Sequence, residues 1–213
     1  MISLELASLL VAELPTGHQG LFNPWAETCP DDVGENGPAL KLAHLASHLN
    51  CKPHLILCGE AIGYQGCRHS GIAFTSERLI LEGSIPRISR PASRLTCRER
   101  PFSEPSATIV WGTLKRLGLA EKTILWNALP MHPFKDGNIR SNRTPTPAEI
   151  ALGKPAMKIL LESFPKAKVV AVGRKAEGLL TEMGISVEAV RHPANGGAKA
   201  FAAGIERVVR NMR

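Results

Sequence analysis

Aromatic side chains are scarce in this sequence: Phe, Trp and Tyr make up 5% of its 213 residues, and there is a single tyrosine. An aromatic residue beside a polar motif is therefore more informative than usual. The five cysteines, at positions 29, 51, 58, 67 and 97, are odd in number and include no CxxC pair. That pattern argues against a disulfide framework and for a reduced thiol set. No apolar run reaches the length that spans a bilayer. The opening Met1-Ile2-Ser3-Leu4-Glu5 has an early acid and no basic segment, unlike a secretory signal. A cytoplasmic, non-membrane protein is expected. No Gly-Lys-Ser/Thr follows a glycine-rich turn, which excludes a P-loop. Gly59, Gly63 and Gly66 do not have the GxGxxG spacing of a dinucleotide fingerprint.

What is present is basic. Lys and Arg number 26 against 19 Asp and Glu, for a net charge of +7 and a pI near 9.4. Such an excess suits polyanionic partners, nucleic acid among them, as well as a merely soluble surface. Arg87, Arg90, Arg94, Arg98 and Arg100 fall in an irregular stretch with Ser and Pro, an arrangement expected to meet phosphates. Arg207, Arg210 and Arg213 form a second group. With 44% hydrophobic residues the chain can bury a substantial core, so disorder is not a serious reading.

Leu55-Ile56-Leu57-Cys58 is an apolar run without alternation that stops at Gly59, the signature of a buried parallel strand feeding a loop. The pattern returns at Thr123-Ile124-Leu125-Trp126, at Val169-Val170-Ala171-Val172 and, more weakly, from Ile185 to Val190. Helical stretches are expected over 2–14, 37–49, 103–118, 147–163, 174–183 and 198–211. No linker or internal repeat interrupts them. The alternation predicts one domain over 1–213, a three-layer α/β/α sandwich with a central, mainly parallel four-stranded sheet. Ligands of such sheets bind outside the carboxyl ends of the strands. The residues just past the four runs are Gly59-Glu60, Asn127, Gly173 and His192, so polar side chains are expected to converge there.

Three segments there carry chemistry. Gly59-Glu60-Ala61-Ile62-Gly63-Tyr64, continued by Gly66, Arg68 and Gly71-Ile72-Ala73-Phe74, lets backbone amides approach a ligand closely; its glycines equally suit an ordinary turn. Asn127, in Trp126-Asn127-Ala128-Leu129-Pro130, offers a donor and an acceptor that match the edge of a nucleobase, or caps a turn. His192, in Arg191-His192-Pro193-Ala194-Asn195-Gly196-Gly197, can donate to a developing anion, or serve as a structural hydrogen-bonder.

Together these segments resemble the uracil-DNA glycosylase superfamily. Gly59 to Gly63 looks like its first active-site motif in the form used by the iron–sulfur branch, Gly71 to Phe74 like the segment whose phenylalanine stacks on the extruded base, and His192-Pro193 like the last motif. Asn142 to Ile150 also resembles that branch. The likeness spans residues 53–201. It implies base contacts from Ala61, Gly63, Phe74 and Asn127, catalytic roles for Glu60 and His192, and DNA contacts from Arg68, Arg143, Asn195 and Gly196. Departures are plain. The positions matching later cluster cysteines are Met131 and Gly153, so four-thiolate ligation is not expected and no metal or cofactor is implied. Ala61 stands where the best-studied branch has a water-polarising aspartate, and Gly63 where it has a tyrosine that excludes the thymine methyl; Tyr64 is a candidate to cover that gap.

The implied activity is that of a monofunctional DNA glycosylase, a monomer acting on uracil or a related deaminated base flipped out of DNA. The alternative is a degenerate member that binds damaged or single-stranded DNA without cleaving it; a small-molecule nucleoside enzyme is a third class. Other features read as structural. His44 and His48 have a zinc-compatible helical spacing but no third ligand, and are expected at a helix surface or in packing. Phe22-Asn23-Pro24-Trp25 is expected to pack the first helix, and Trp111 to lie in the core. Residues 135–143 suit either phosphate contact or a solvated connection.

Overall fold

The apolar runs fold as the strands they predict, and each is longer or shorter than its run by a few residues. The computed structural model describes residues 3–212. In chain order its elements are α1 (Ser3–Ala12), β1 (Leu21–Phe22), α2 (Pro38–Leu49), β2 (Leu55–Ala61), α3 (Cys67–Ser70), α4 (Glu77–Leu81) and α5 (Pro105–Arg116). They continue with β3 (Thr123–Leu129), β4 (His132–Pro133), α6 (Pro147–Ala151), α7 (Lys154–Ser163), β5 (Lys168–Val172), α8 (Arg174–Glu182), β6 (Glu188–Val190) and α9 (Ala198–Arg210). Residue 2, the first of the expected N-terminal helix, lies outside the described residues.

The four longer strands form one parallel sheet in the order β3-β2-β5-β6, and β1 pairs with β4 in a separate antiparallel ribbon. Side chains alternate across the pleat, which sorts the core into two layers. Ile56, Cys58, Ile124, Trp126 and Ala171 face α1, α2, α7 and α8. Leu55, Leu57, Leu125, Val170 and Val172 face α4, α5 and α9. Both faces are covered, which is why the strands read as unbroken apolar runs rather than alternating ones. This is the expected α/β/α sandwich. The chain leaves β2 for β3 on one side and later crosses back to β5 on the other, so a crevice opens beyond the carboxyl ends of β2 and β5.

Local chemistry explains where the elements depart from expectation. The stretch 147–163 is two helices, because Pro155 lacks an amide to continue α6 and instead starts α7. Between them Gly153 packs its backbone onto β3; a Cβ there would overlap the Ala128 carbonyl. The glycine-rich stretch before Phe74 does form one turn of helix, α3, ended by Gly71 in the left-handed region at φ 74°. His44 and His48 are buried rather than at the surface, and His48 Nε2 accepts the β3 amide of Leu125 at 2.9 Å. Trp25 stacks on Trp126 and Trp111 is in the core, as packing residues should be. No helix among the described residues is long and apolar enough to cross a membrane.

Candidate active site

At the carboxyl ends of the strands lies a cleft of about 630 Å³, whose walls include Glu60, Ala61 and Gly63 from the end of β2, Asn127 from β3, and His192, Asn195 and Gly196 beyond β6. Phe74 and Arg143 also line it. The register of the sheet starts the arrangement: Gly59 of β2 pairs with Asn127 of β3. Gly59 has no side chain, so the Phe74 ring and the Asn127 amide close over it. A Cβ on Gly59 would stand 2.5 Å from Phe74 Cζ and 2.6 Å from Asn127 Oδ1. The Phe74 ring also lies 5.9 Å from the His192 ring, centre to centre. Among the described residues the Asn127 carboxamide has no protein hydrogen-bond partner, although the residue is only 4% exposed.

Phe74 is held in an unfavourable conformation, with φ at 50°. A non-glycine residue there costs on the order of 1–3 kcal/mol and persists only when its surroundings over-determine it. Those surroundings are visible. Ser70 Oγ accepts the Ile72 amide at 3.2 Å and donates to the Thr75 carbonyl at 2.7 Å. Thr75 Oγ1 donates to the Ala73 carbonyl at 3.1 Å and accepts Trp111 Nε1–H at 3.0 Å. The hydrogen bonds on both sides of Phe74 fix its ring against Gly59.

His192 is half-buried, and burial, reinforced by the charge of Arg191, holds its pKa below the ordinary imidazole value. The Ala194 amide donates to Nδ1 at 3.1 Å, which leaves the proton of the neutral ring on Nε2. Asn195 and Gly196 follow in the left-handed region at φ 52° and 75°, a turn that asparagine and glycine tolerate. Glu60 and His192 also border a second groove, lined further by Gly173, Arg174 and Lys175 at the start of α8 and by Arg191 just beyond β6.

Two expected contacts are corrected. Arg68 cannot meet DNA, because its side chain is 0% exposed. Its guanidinium lies between the Phe22 and Tyr64 rings, 5.1 and 5.6 Å from their centres, and donates to Cys29 Sγ at 2.9 Å and to the Ile139 carbonyl. The arginine-rich stretch is likewise partly internal. Arg94 donates to the buried carboxylate of Glu77 at 2.9 Å, which also accepts the Leu95, Thr96 and Phe102 amides. Arg87 donates to the carbonyls of His48 and Glu121. Arg143 keeps a place on the cleft wall while bridging Glu149, at 2.6 Å, and the Gly20 carbonyl. In the 135–143 connection, Arg140 is spent on Asp31.

Metal-capable side chains do come together elsewhere. Cys29, Asp31 and His69 are buried with ligand atoms all within 4.8 Å of one another. The Arg68 guanidinium already stands among them, 2.9 Å from the sulfur and 3.8 Å from the Asp31 carboxylate, and a fixed cation there opposes a second one. A four-thiolate cluster does not fit either, since the Ala128 carbonyl leaves no room for a side chain at position 153.

Glu104, which no sequence motif marks as a site residue, reaches the cleft from the position preceding α5. Burial pushes its carboxyl up to about 7. It also bounds the space above Gly63, 3.8 Å from where a Cβ would be. Tyr64 does not cover that space; its ring packs against Phe102, at 5.3 Å, and His69, at 6.4 Å. Only the local sequence Glu104-Pro105, a helix-start signal, marks this residue, and nothing in it signals a cleft.

Comparison with known proteins identifies the family and the fold. A family model described as the Uracil DNA glycosylase superfamily matches residues 46–205. No curated protein matches the chain. Among solved structures, wild-type SMUG2 of Pedobacter heparinus superposes with a TM-score of 0.63 over 97% of each chain at 16% identity, a likeness of fold.

Proposed function

Since this chain belongs to the uracil DNA glycosylase superfamily, we propose that it is a DNA glycosylase that hydrolyses the N-glycosidic bond of uracil, or a related deaminated base, flipped out of DNA. One observation carries the reading: Gly59 lets a strained Phe74 ring and an unpaired Asn127 amide meet in one cleft with Glu60 and His192. A ring face beside a free donor–acceptor pair is what a flipped base needs, stacking on one side and edge recognition on the other. The cleft volume suits a nucleobase with its sugar.

In this reading the base stacks on Phe74 and is read by Asn127, with the backbone of Ala61 and Gly63 close to its edge. Water attacks C1′ as the bond from C1′ to the ring nitrogen breaks; the bonding electron pair leaves with the base, and the proton lost by the water passes through solvent to the base anion. His192, neutral in this environment, donates from Nε2 to the base anion; a preorganised neutral donor is effective there because no proton must be lost first. Glu60 orients the water and offsets the positive charge that develops on the sugar. The flanking strand runs along the groove of Arg174, Lys175 and Arg191, where the start of α8 favours phosphate. Asn195 and Gly196 contact the backbone beside the flipped nucleotide.

The test is incubation with an oligonucleotide containing a single uracil. Free uracil and an alkali-labile abasic site are the expected products. A gel shift without base release would instead identify a DNA-binding protein.

A further inference from the structure

We infer that Glu104 determines which bases the cleft accepts, by closing it over Gly63 and meeting the ring edge that Asn127 does not read. The inference rests on the glycosylase reading above. Glu104 precedes α5 in the N-cap position, yet its side chain makes no capping hydrogen bond. Among the described residues its carboxylate has no ion-pair partner and no hydrogen-bond donor; only its backbone carbonyl is engaged, by Thr108. A carboxyl left without a partner in a cleft is costly unless something else fills that role.

Its placement is built into the chain. The carboxylate lies over the turn from Gly63 to Gly66, where a Cβ on Gly66 would overlap Oε2 and one on Gly63 would touch Oε1 at 3.8 Å. Neither glycine has a positive φ. At Gly66 the missing side chain leaves the space that the carboxyl occupies. Burial raises the Glu104 pKa to about 7, so near neutral pH a large share is the uncharged acid, which can rest against a base without a counter-ion. The nearby Cys67 thiol, pushed well up by burial and by Glu104, stays protonated. Of the turn from Gly63 to Gly66, Tyr64 packs away from the cleft, and Gln65 shares the cleft wall with Glu104.

A base stacked on Phe74 and held by Asn127 presents its remaining edge to this wall. A ring hydrogen or a small polar group is accommodated. A methyl group would press on a carboxyl that has no other partner and strip its water. One methylene in a binding pocket typically shifts selectivity about 10- to 200-fold.

The full-length protein and the variants Glu104→Ala, Glu104→Gln and Gly66→Ala would be compared by single-turnover release of uracil, 5-bromouracil and guanine-paired thymine from oligonucleotides. Glu104→Ala should raise the thymine-to-uracil rate ratio by about tenfold or more, and Glu104→Gln, which keeps the volume, should leave it near the wild-type value. Gly66→Ala displaces the flexible end of Glu104 rather than backbone and should move the ratio in the same direction as Glu104→Ala. An unchanged ratio in Glu104→Ala overturns the assignment. A wild-type protein that releases no base removes the glycosylase reading alone. Titration of free uracil and 5-methyluracil, followed by NMR, then decides the wall: a relative gain for 5-methyluracil in Glu104→Ala supports it, and parallel changes for both bases refute it.

Discussion

Replacing Gly59 by alanine should damage excision far more than it damages the fold. A Cβ at this position would stand 2.5 Å from Phe74 Cζ, 2.7 Å from Phe74 Cε2 and 2.6 Å from Asn127 Oδ1. Carbon atoms in contact prefer about 3.5–4.0 Å, so the ring must retreat by roughly 1 Å or the strands must part. The ring has little room to do so, because the Ser70 and Thr75 hydrogen bonds and the Trp111 indole fix its backbone. Overpacking of this kind costs about 1–3 kcal/mol, which a domain of ordinary stability survives at 25 °C. A misplacement of about 1 Å in a reacting complex costs roughly 10²-fold in rate. Urea denaturation would read the first quantity and single-turnover uracil release the second, at a protein concentration where binding saturates. The expected result is a folded protein about a hundredfold slower. Excision within about threefold of wild type, with the fold intact, would refute the claim that Phe74 and Asn127 form the base site around Gly59.

Two further outcomes follow from the same geometry. His192→Ala should lower the single-turnover rate by about 10²–10³-fold, as loss of one anion-stabilising donor does, with only a small change in urea midpoint; a rate near wild type would remove His192 from the chemistry. Stability should also fall on acidification. Burial, then the charge of Arg87, lowers the His48 pKa to about 3, and burial lowers that of His132 to about 4. An unfolded histidine titrates near 6.5, so the unfolded chain binds protons first. The contribution is therefore full about one pH unit above 6.5 and is lost as pH falls toward the folded values. Each histidine contributes up to about 1.4 kcal/mol per pH unit below its unfolded value, so the two together remove about 3 kcal/mol between pH 6.5 and 5. Urea midpoints that stay constant over that interval would contradict the burial of both rings.

The sheet was legible because a strand buried on both faces needs apolar residues throughout, and Leu55 to Cys58 and Thr123 to Trp126 have them. The strand-end rule then brought Glu60, Asn127 and His192 toward one place. Strand order and the β1–β4 ribbon were not legible, since a two-residue strand such as Leu21–Phe22 has no period to read. Arg68 shows why charge alone misleads: its partners Phe22, Cys29 and Ile139 come from segments distant in sequence, and only their folding together makes a buried site for a guanidinium. The break at Gly153 was signalled by Pro155 but is masked by the continuous helical periodicity on either side. Glu104 was invisible for the opposite reason. It sits where an ordinary N-cap sits, and what distinguishes it is the absence of a capping bond, a fact of the folded chain.

The fate of a single uracil in a synthetic oligonucleotide incubated with excess protein tests base excision at this cleft most directly. Free uracil and one alkali-labile abasic site per strand are expected from the wild type, and Gly59→Ala should slow their release about a hundredfold. Tight binding of the same oligonucleotide with every uracil left in place would contradict excision at this cleft.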